Sequence, residues 1–103
     1  MTLVFNSVFE ADFAELAADF HAIGGLKLSI LFEDEVCRLS SLLLQQPELG
    51  RLRRDLKPEG IRSFRLKGFP KYMLHYQVKG EELILFRLRY GGMNLQTLFL
   101  GFD

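Results

Sequence analysis

The side chains best suited to chemistry are basic and lie in the second half of the chain. Arg62 and Arg65 flank one strand-like run, Lys67 and Lys71 bracket the turn after it, and Arg87 and Arg89, two positions apart, point to one face of another. Six such cations on neighbouring strands suit a concave patch for phosphate or for a carboxylate-rich peptide. The competing account is a solvated face paired with acids of the helices. Were the patch to cleave RNA, Arg62, Arg65 and Arg87 would stabilise charge on the phosphate, and Tyr90, Tyr76 or His75 would have to handle protons. No spacing singles out one of them, so binding is favoured over catalysis. The chain has no phosphate-cradling glycine loop, no His-rich or Cys-rich metal spacing and no serine nucleophile elbow, and neither a metal nor a cofactor is expected. His21 reads as a surface or boundary residue, and Cys37 as a small buried or boundary one.

Composition bounds what must position these groups. The 103 residues are 49% hydrophobic and 25% charged with zero net charge, which fits one globular domain over 1–103 and excludes disorder. No apolar run approaches the roughly eighteen residues of a membrane span, and the N-terminus lacks a secretory signal, so a cytoplasmic protein without membrane contact is expected. The zero is a sum of opposites. Residues 1–50 hold two basic and eight acidic side chains, net −6, and residues 51–103 hold eleven basic and five acidic, net +6. Such polarity suits an acidic partner on the basic side, whereas overall neutrality disfavours indiscriminate nucleic-acid binding.

Leu3, Val4 and Phe5 read as a short strand. Ser7 and Glu10 have capping-box spacing, and Phe9, Phe13, Leu16, Phe20 and Ile23 then recur on one helical face as far as Gly24 and Gly25, which permit a reversal. A second helix runs from about Lys27 to Gln46, with Leu28, Phe32, Val36, Leu39 and Leu43 inward and Glu33, Asp34 and Arg38 on the wet side. Arg51 to Gly60 reads as a basic loop. Three strands follow, at Ile61 to Lys67, Tyr72 to Val78 and Glu82 to Tyr90, the last alternating apolar-in and basic-out. Leu98, Phe99, Leu100 and Phe102 read as an edge strand or a packed tail, with a contact surface as the alternative. The expected fold is α+β, an N-terminal strand and a helical hairpin on a mainly antiparallel sheet of three to four strands.

This order, with Gln46-Pro47-Glu48-Leu49-Gly50, Ile61-Arg62-Ser63-Phe64, Tyr72-Met73-Leu74-His75-Tyr76-Gln77-Val78 and Leu83 to Tyr90 running into Gly91-Gly92-Met93-Asn94, resembles the RelE/ParE family of bacterial toxins over nearly the whole chain. The likeness favours the ParE (plasmid stabilisation) branch. It implies the toxin of a type II toxin-antitoxin pair, neutralised by a cognate antitoxin whose C-terminal segment wraps it, and it leaves open a homodimer or a hetero-oligomer with that antitoxin. ParE-like members are associated with poisoning DNA gyrase, and RelE-like members with cutting mRNA on the ribosome. Arg62 and Arg87 stand where the family commonly has basic residues. The stretch Tyr90-Gly91-Gly92-Met93-Asn94 lacks the His and the basic-acidic pair often found there, and the chain is neutral where RelE-type nucleases are strongly basic. The expectation is a growth-inhibiting toxin that binds gyrase, with a ribosome-dependent endoribonuclease using Arg62, Arg65, Arg87 and Tyr90, or a toxin-derived interaction protein without toxicity, as alternatives.

Overall fold

Asn6 starts the helical part of the chain: its Oδ1 accepts from the backbone N–H groups of Val8 at 2.7 Å and Phe9 at 3.4 Å, so two amides that a helix start leaves unpaired are satisfied. The cap is therefore one residue earlier than Ser7, because an amide oxygen placed there reaches the first turn. In the computed structural model, which describes residues 1–91, the elements are β1 (Thr2–Phe5), α1 (Ser7–Gln45), β2 (Arg51–Leu52), β3 (Arg62–Leu66), β4 (Phe69–Lys79) and β5 (Glu82–Tyr90). The apolar C-terminal cluster Leu98, Phe99, Leu100 and Phe102 lies outside the described residues.

Helix α1 is broken at Gly25, whose φ of 76° and ψ of −170° suit only glycine. The chain doubles back there. Ser29 donates to the carbonyl of Ala17 at 3.2 Å, and the rings of Phe13 and Phe32 stack 5.6 Å apart, whereas an unbroken helix would separate those residues by about 28 Å. The expected hairpin is thus present, with arms 7–24 and 26–45. Phe9, Leu16 and Phe20 of the first arm and Phe32, Val36, Leu39 and Leu43 of the second are buried as their spacing requires. Ile23 is not: it stands 78% exposed in the last turn before the reversal.

Among the described residues the sheet has five strands in the order β1-β5-β4-β3-β2, one more than expected. β1 runs parallel to β5 and the other pairs are antiparallel. The extra strand is the two-residue β2, which pairs Arg51 with Ser63 and Leu52 with Arg62; so short an element carries no periodicity of its own. Directly opposed residues share a face, so register sorts the side chains. Arg62, Phe64, Tyr72, Leu74, Tyr76 and Leu88 turn toward the helices, and Ser63, Arg65, Met73, His75, Arg87 and Arg89 turn toward the other, open face. Between His75 and Tyr76 the register slips because Phe86 is an extra residue in β5.

Two cores result. The larger joins the helical stripe to Leu66, Leu74, Tyr76, Leu83, Leu85 and Leu88, with an aromatic group in which Phe20 lies 5.0 Å from Phe32, 5.0 Å from Phe69 and 5.4 Å from Tyr72. The smaller lies on the open face, where Leu56 and Ile61 cover Phe86 and Ile84. Two polar ties lock the helix end and the turns to the sheet. Burial alone would push Glu35 up, but a bidentate pair with Arg38 at 2.7 and 2.8 Å and the Lys67 N–H at 2.6 Å outweigh it and hold the carboxyl below its ordinary range.

The other tie is Tyr76, fully buried, whose hydroxyl donates to the Pro47 carbonyl at 2.7 Å and accepts from Gly50 N–H at 2.8 Å. Burial pushes this phenol up, so it stays protonated. A Cβ at Gly50 would meet the hydroxyl at 2.6 Å, so only glycine admits the contact. Tyr76→Phe keeps the ring and leaves both backbone groups without this partner. It should lower unfolding free energy by about 1–3 kcal/mol in urea titration, and an unchanged midpoint would mean that the tie contributes nothing.

Candidate functional site on the open sheet face

Register builds the open face as two transverse rows. One runs Arg51, Ser63, His75, Arg87 across β2, β3, β4 and β5; the next runs Arg65, Met73, Arg89. Arg65 and Arg89 therefore stand about 10 Å apart, two strand spacings, with Met73 between them.

Most of these cations are already engaged. Asp12, 3% exposed on the first helical arm, reaches the edge of β5 that β1 does not cover. Its carboxylate accepts Arg87 Nε at 2.7 Å and Nη2 at 3.1 Å, the Leu88 N–H at 3.1 Å, and Arg89 Nη1 at 3.2 Å; Glu15 adds a contact to Arg89 at 3.7 Å. The alternating strand is thus apolar-in as expected, but Arg87 is buried and does not project into water. Arg53 forms a bidentate pair with Asp55 at 3.0 and 2.7 Å and donates to Ser63 Oγ at 3.3 Å. That guanidinium, with burial working against it, holds the Asp55 carboxyl below its ordinary range.

Ser63 Oγ and His75 Nδ1 lie 2.6 Å apart. Arg53 donates to the same serine oxygen, and the hydroxyl has both a hydrogen to give Nδ1 and a lone pair to accept from it. Burial depresses His75 to about 4, and the Arg53 and Arg87 charges add to the depression. A neutral imidazole under that much protein cannot serve as a proton donor near pH 7.

The six cations expected to share one patch divide into groups. Arg65, Lys71, Arg87 and Arg89 belong to the open face. Arg62 is on the helix side, donating Nη1 to the Gly50 carbonyl at 2.8 Å and the Glu48 carbonyl at 3.2 Å, and so braces the chain after α1. Lys67 sits in the β3–β4 turn, where its backbone serves Glu35. Tyr90 opposes Tyr72, their rings 5.8 Å apart, so it shares the helix-side face with Arg62 but lies about 13 Å from it along β4. Arg62, Arg65, Arg87 and Tyr90 do not converge on one point, and Tyr76 is a structural tie. Asp12, Arg53, Asp55 and Ser63 complete the face, yet none stands out in the sequence; their only signal is that a polar residue interrupts an apolar stretch, as Ser63 does between Ile61 and Phe64.

On the helix side, an apolar groove of about 490 Å³ opens between β1 and the hairpin, lined by Leu3, Phe5, Phe9, Phe13 and Val36 among others. Cys37 lies on this groove and is exposed, contrary to the buried or boundary position expected, since the second arm turns that side away from the sheet. His21 is exposed. Among the described residues no group of three or more His, Cys, Asp or Glu is placed to hold a metal, and no helix is long and apolar enough to cross a membrane.

A helical hairpin on one face of a five-stranded mixed sheet, with internally paired arginines on the other, defines an α+β fold. The family model described as "ParE toxin of type II toxin-antitoxin system, parDE" matches residues 3–95, and the chain belongs to that family. Among solved structures it is similar to one titled "Chromosomal ParDE TA system from P. aeruginosa", with a TM-score of 0.73, 19% identity and coverage of 87% of this chain and 95% of that one. That likeness shows the shared fold. No curated protein matches the chain.

Proposed function

We propose that this ParE-family protein acts in the cytoplasm as a growth-inhibiting toxin by binding a cellular target, with DNA gyrase the leading candidate, and that a cognate antitoxin neutralises it. The observation that supports binding over ribonuclease chemistry is the Asp12 clamp. Arg87, one of the arginines that a nuclease would aim at phosphate, is held with Arg89 by one buried carboxylate, and the remaining members of the candidate catalytic set, Arg62, Arg65 and Tyr90, point to both faces of the sheet. Among the described residues no strand pairs with the outer edge of β1, and that edge with the apolar groove beside it suits an added peptide segment, which is how a wrapping antitoxin would dock.

Induced expression in a bacterium is expected to arrest growth, and the purified protein to inhibit gyrase supercoiling. No inhibition at micromolar excess removes gyrase as the target, cleavage of ribosome-bound message replaces binding with RelE-type chemistry, and growth without defect leaves a toxin-derived interaction protein. Co-expression with an antitoxin encoded next to the gene should restore growth.

A further inference from the structure

We infer that Arg65 and Lys71 form an anion subsite on the open face that takes a carboxylate side chain of a partner polypeptide. A cleft of about 210 Å³ at the end of β5 is lined, among the described residues, by Arg65, Pro70, Lys71, Met73, Tyr90 and Gly91, none of them an acid. Both cations are exposed. Arg65 Nη1 donates to the Pro70 carbonyl at 3.1 Å, which anchors the guanidinium at the cleft while that bond uses one of its five N–H donors. The other arginines of the face are committed within the protein: Arg53 to Asp55, Arg87 and Arg89 to Asp12, and Arg51 near enough to Asp55 to help lower its pKa.

This charge inventory selects the ligand. Affinity for a nucleic-acid backbone rises with every phosphate neutralised, and the two cations of this cleft give little of it by themselves. A carboxylate delivered by a polypeptide already docked elsewhere needs only one such site, and an arginine fork matches its two oxygens. Pro70 and Met73 offer apolar walls to the methylene stem of a glutamate. The inference deepens the toxin reading and rests on it in one respect, that the partner is a protein.

The test is fluorescence anisotropy at low salt on the full chain, with a fluorescein-labelled ten-residue Glu-rich peptide as probe and a labelled ten-nucleotide single-stranded DNA for comparison. Arg65→Gln with Lys71→Gln should weaken peptide binding at least fivefold with an unchanged melting temperature. Arg54→Gln with Lys79→Gln removes the same charge from exposed positions elsewhere and should change it less than twofold. Equal losses in the two double variants would reduce the effect to net charge and overturn the subsite. So would a peptide affinity insensitive to both, or a larger loss for DNA than for peptide, which would assign the cleft to nucleic acid. The growth-arrest assay succeeds or fails without reference to this cleft, and the titration does so without reference to toxicity.

Discussion

Asp12→Ala is expected to lower folding stability by about 3–5 kcal/mol, the cost of breaking a buried ion pair by removing one partner. The deletion takes away the carboxylate that receives Arg87 twice, Arg89 once and the Leu88 amide, all at a place where Asp12 is 3% and Arg87 9% exposed. Two guanidiniums then face each other across the edge of β5 without that counter-charge. Urea titration should show a midpoint shift of that size with an unchanged slope, and a loss below about 1 kcal/mol would mean that the clamp is dispensable. The same physics makes a second result diagnostic. Replacing Arg87 and Arg89 by methionine in the Asp12→Ala background removes the stranded charges and should recover much of the loss, because apolar side chains of similar length can replace a buried pair at little cost.

The clamp also changes the meaning of the charge segregation. A split of −6 and +6 between the two halves of the chain suggests a protein with one acidic and one basic surface. In the folded protein two of the acids from the first half are spent inside: Asp12 on Arg87 and Arg89, and Glu35 on the Lys67 amide, with Arg38 beside it. Part of the polarity is therefore what joins hairpin to sheet. The basic surface that remains is smaller than the inventory of arginines suggests, and Arg65 and Lys71 stand exposed together at one of its clefts.

Local spacing carries elements well and partnerships poorly. The helical stripes from Phe9 to Phe20 and from Phe32 to Leu43, the glycine reversal and the bounds of β5 are all visible in the sequence, because each depends on the periodicity of its own residues. β2 is not, since two residues have no period and exist as a strand only because Ser63 and Arg62 lie beside them. Which face Arg62 or Tyr90 occupies depends on pairing with Tyr76 and Tyr72, and a one-residue slip reverses it; the extra Phe86 in β5 is such a slip. Asp12 illustrates the limit. On the helix it reads as one acid among eight, and its role appears only once a residue 75 positions away is brought against it.

His75 makes the protein acid-labile through the same open face. Its folded pKa of about 4 lies below the 6.5 of an unfolded histidine, because burial and then the Arg53 and Arg87 charges disfavour the imidazolium, with Asp12 and Asp55 opposing them weakly. The unfolded chain thus binds more protons than the folded one between these values, so stability is fully present above pH 6.5 and falls as pH drops toward 4. The loss is about 2 kcal/mol at pH 5 and roughly 3 kcal/mol by pH 4, or a melting temperature lower by about 10 °C at pH 5. Glu35 and Asp55, whose pKa values are lowered, act in the opposite sense and in a lower window: their contribution is present above the ordinary carboxylate range and is lost as pH falls below it. The two windows separate by experiment. His75→Gln, which retains a side-chain amide to meet Ser63, should flatten the melting temperature between pH 6.5 and 5 while preserving the steeper fall below 4.5; a wild-type profile already flat from 6.5 to 5 would show that the buried imidazole is not what the folded state keeps neutral.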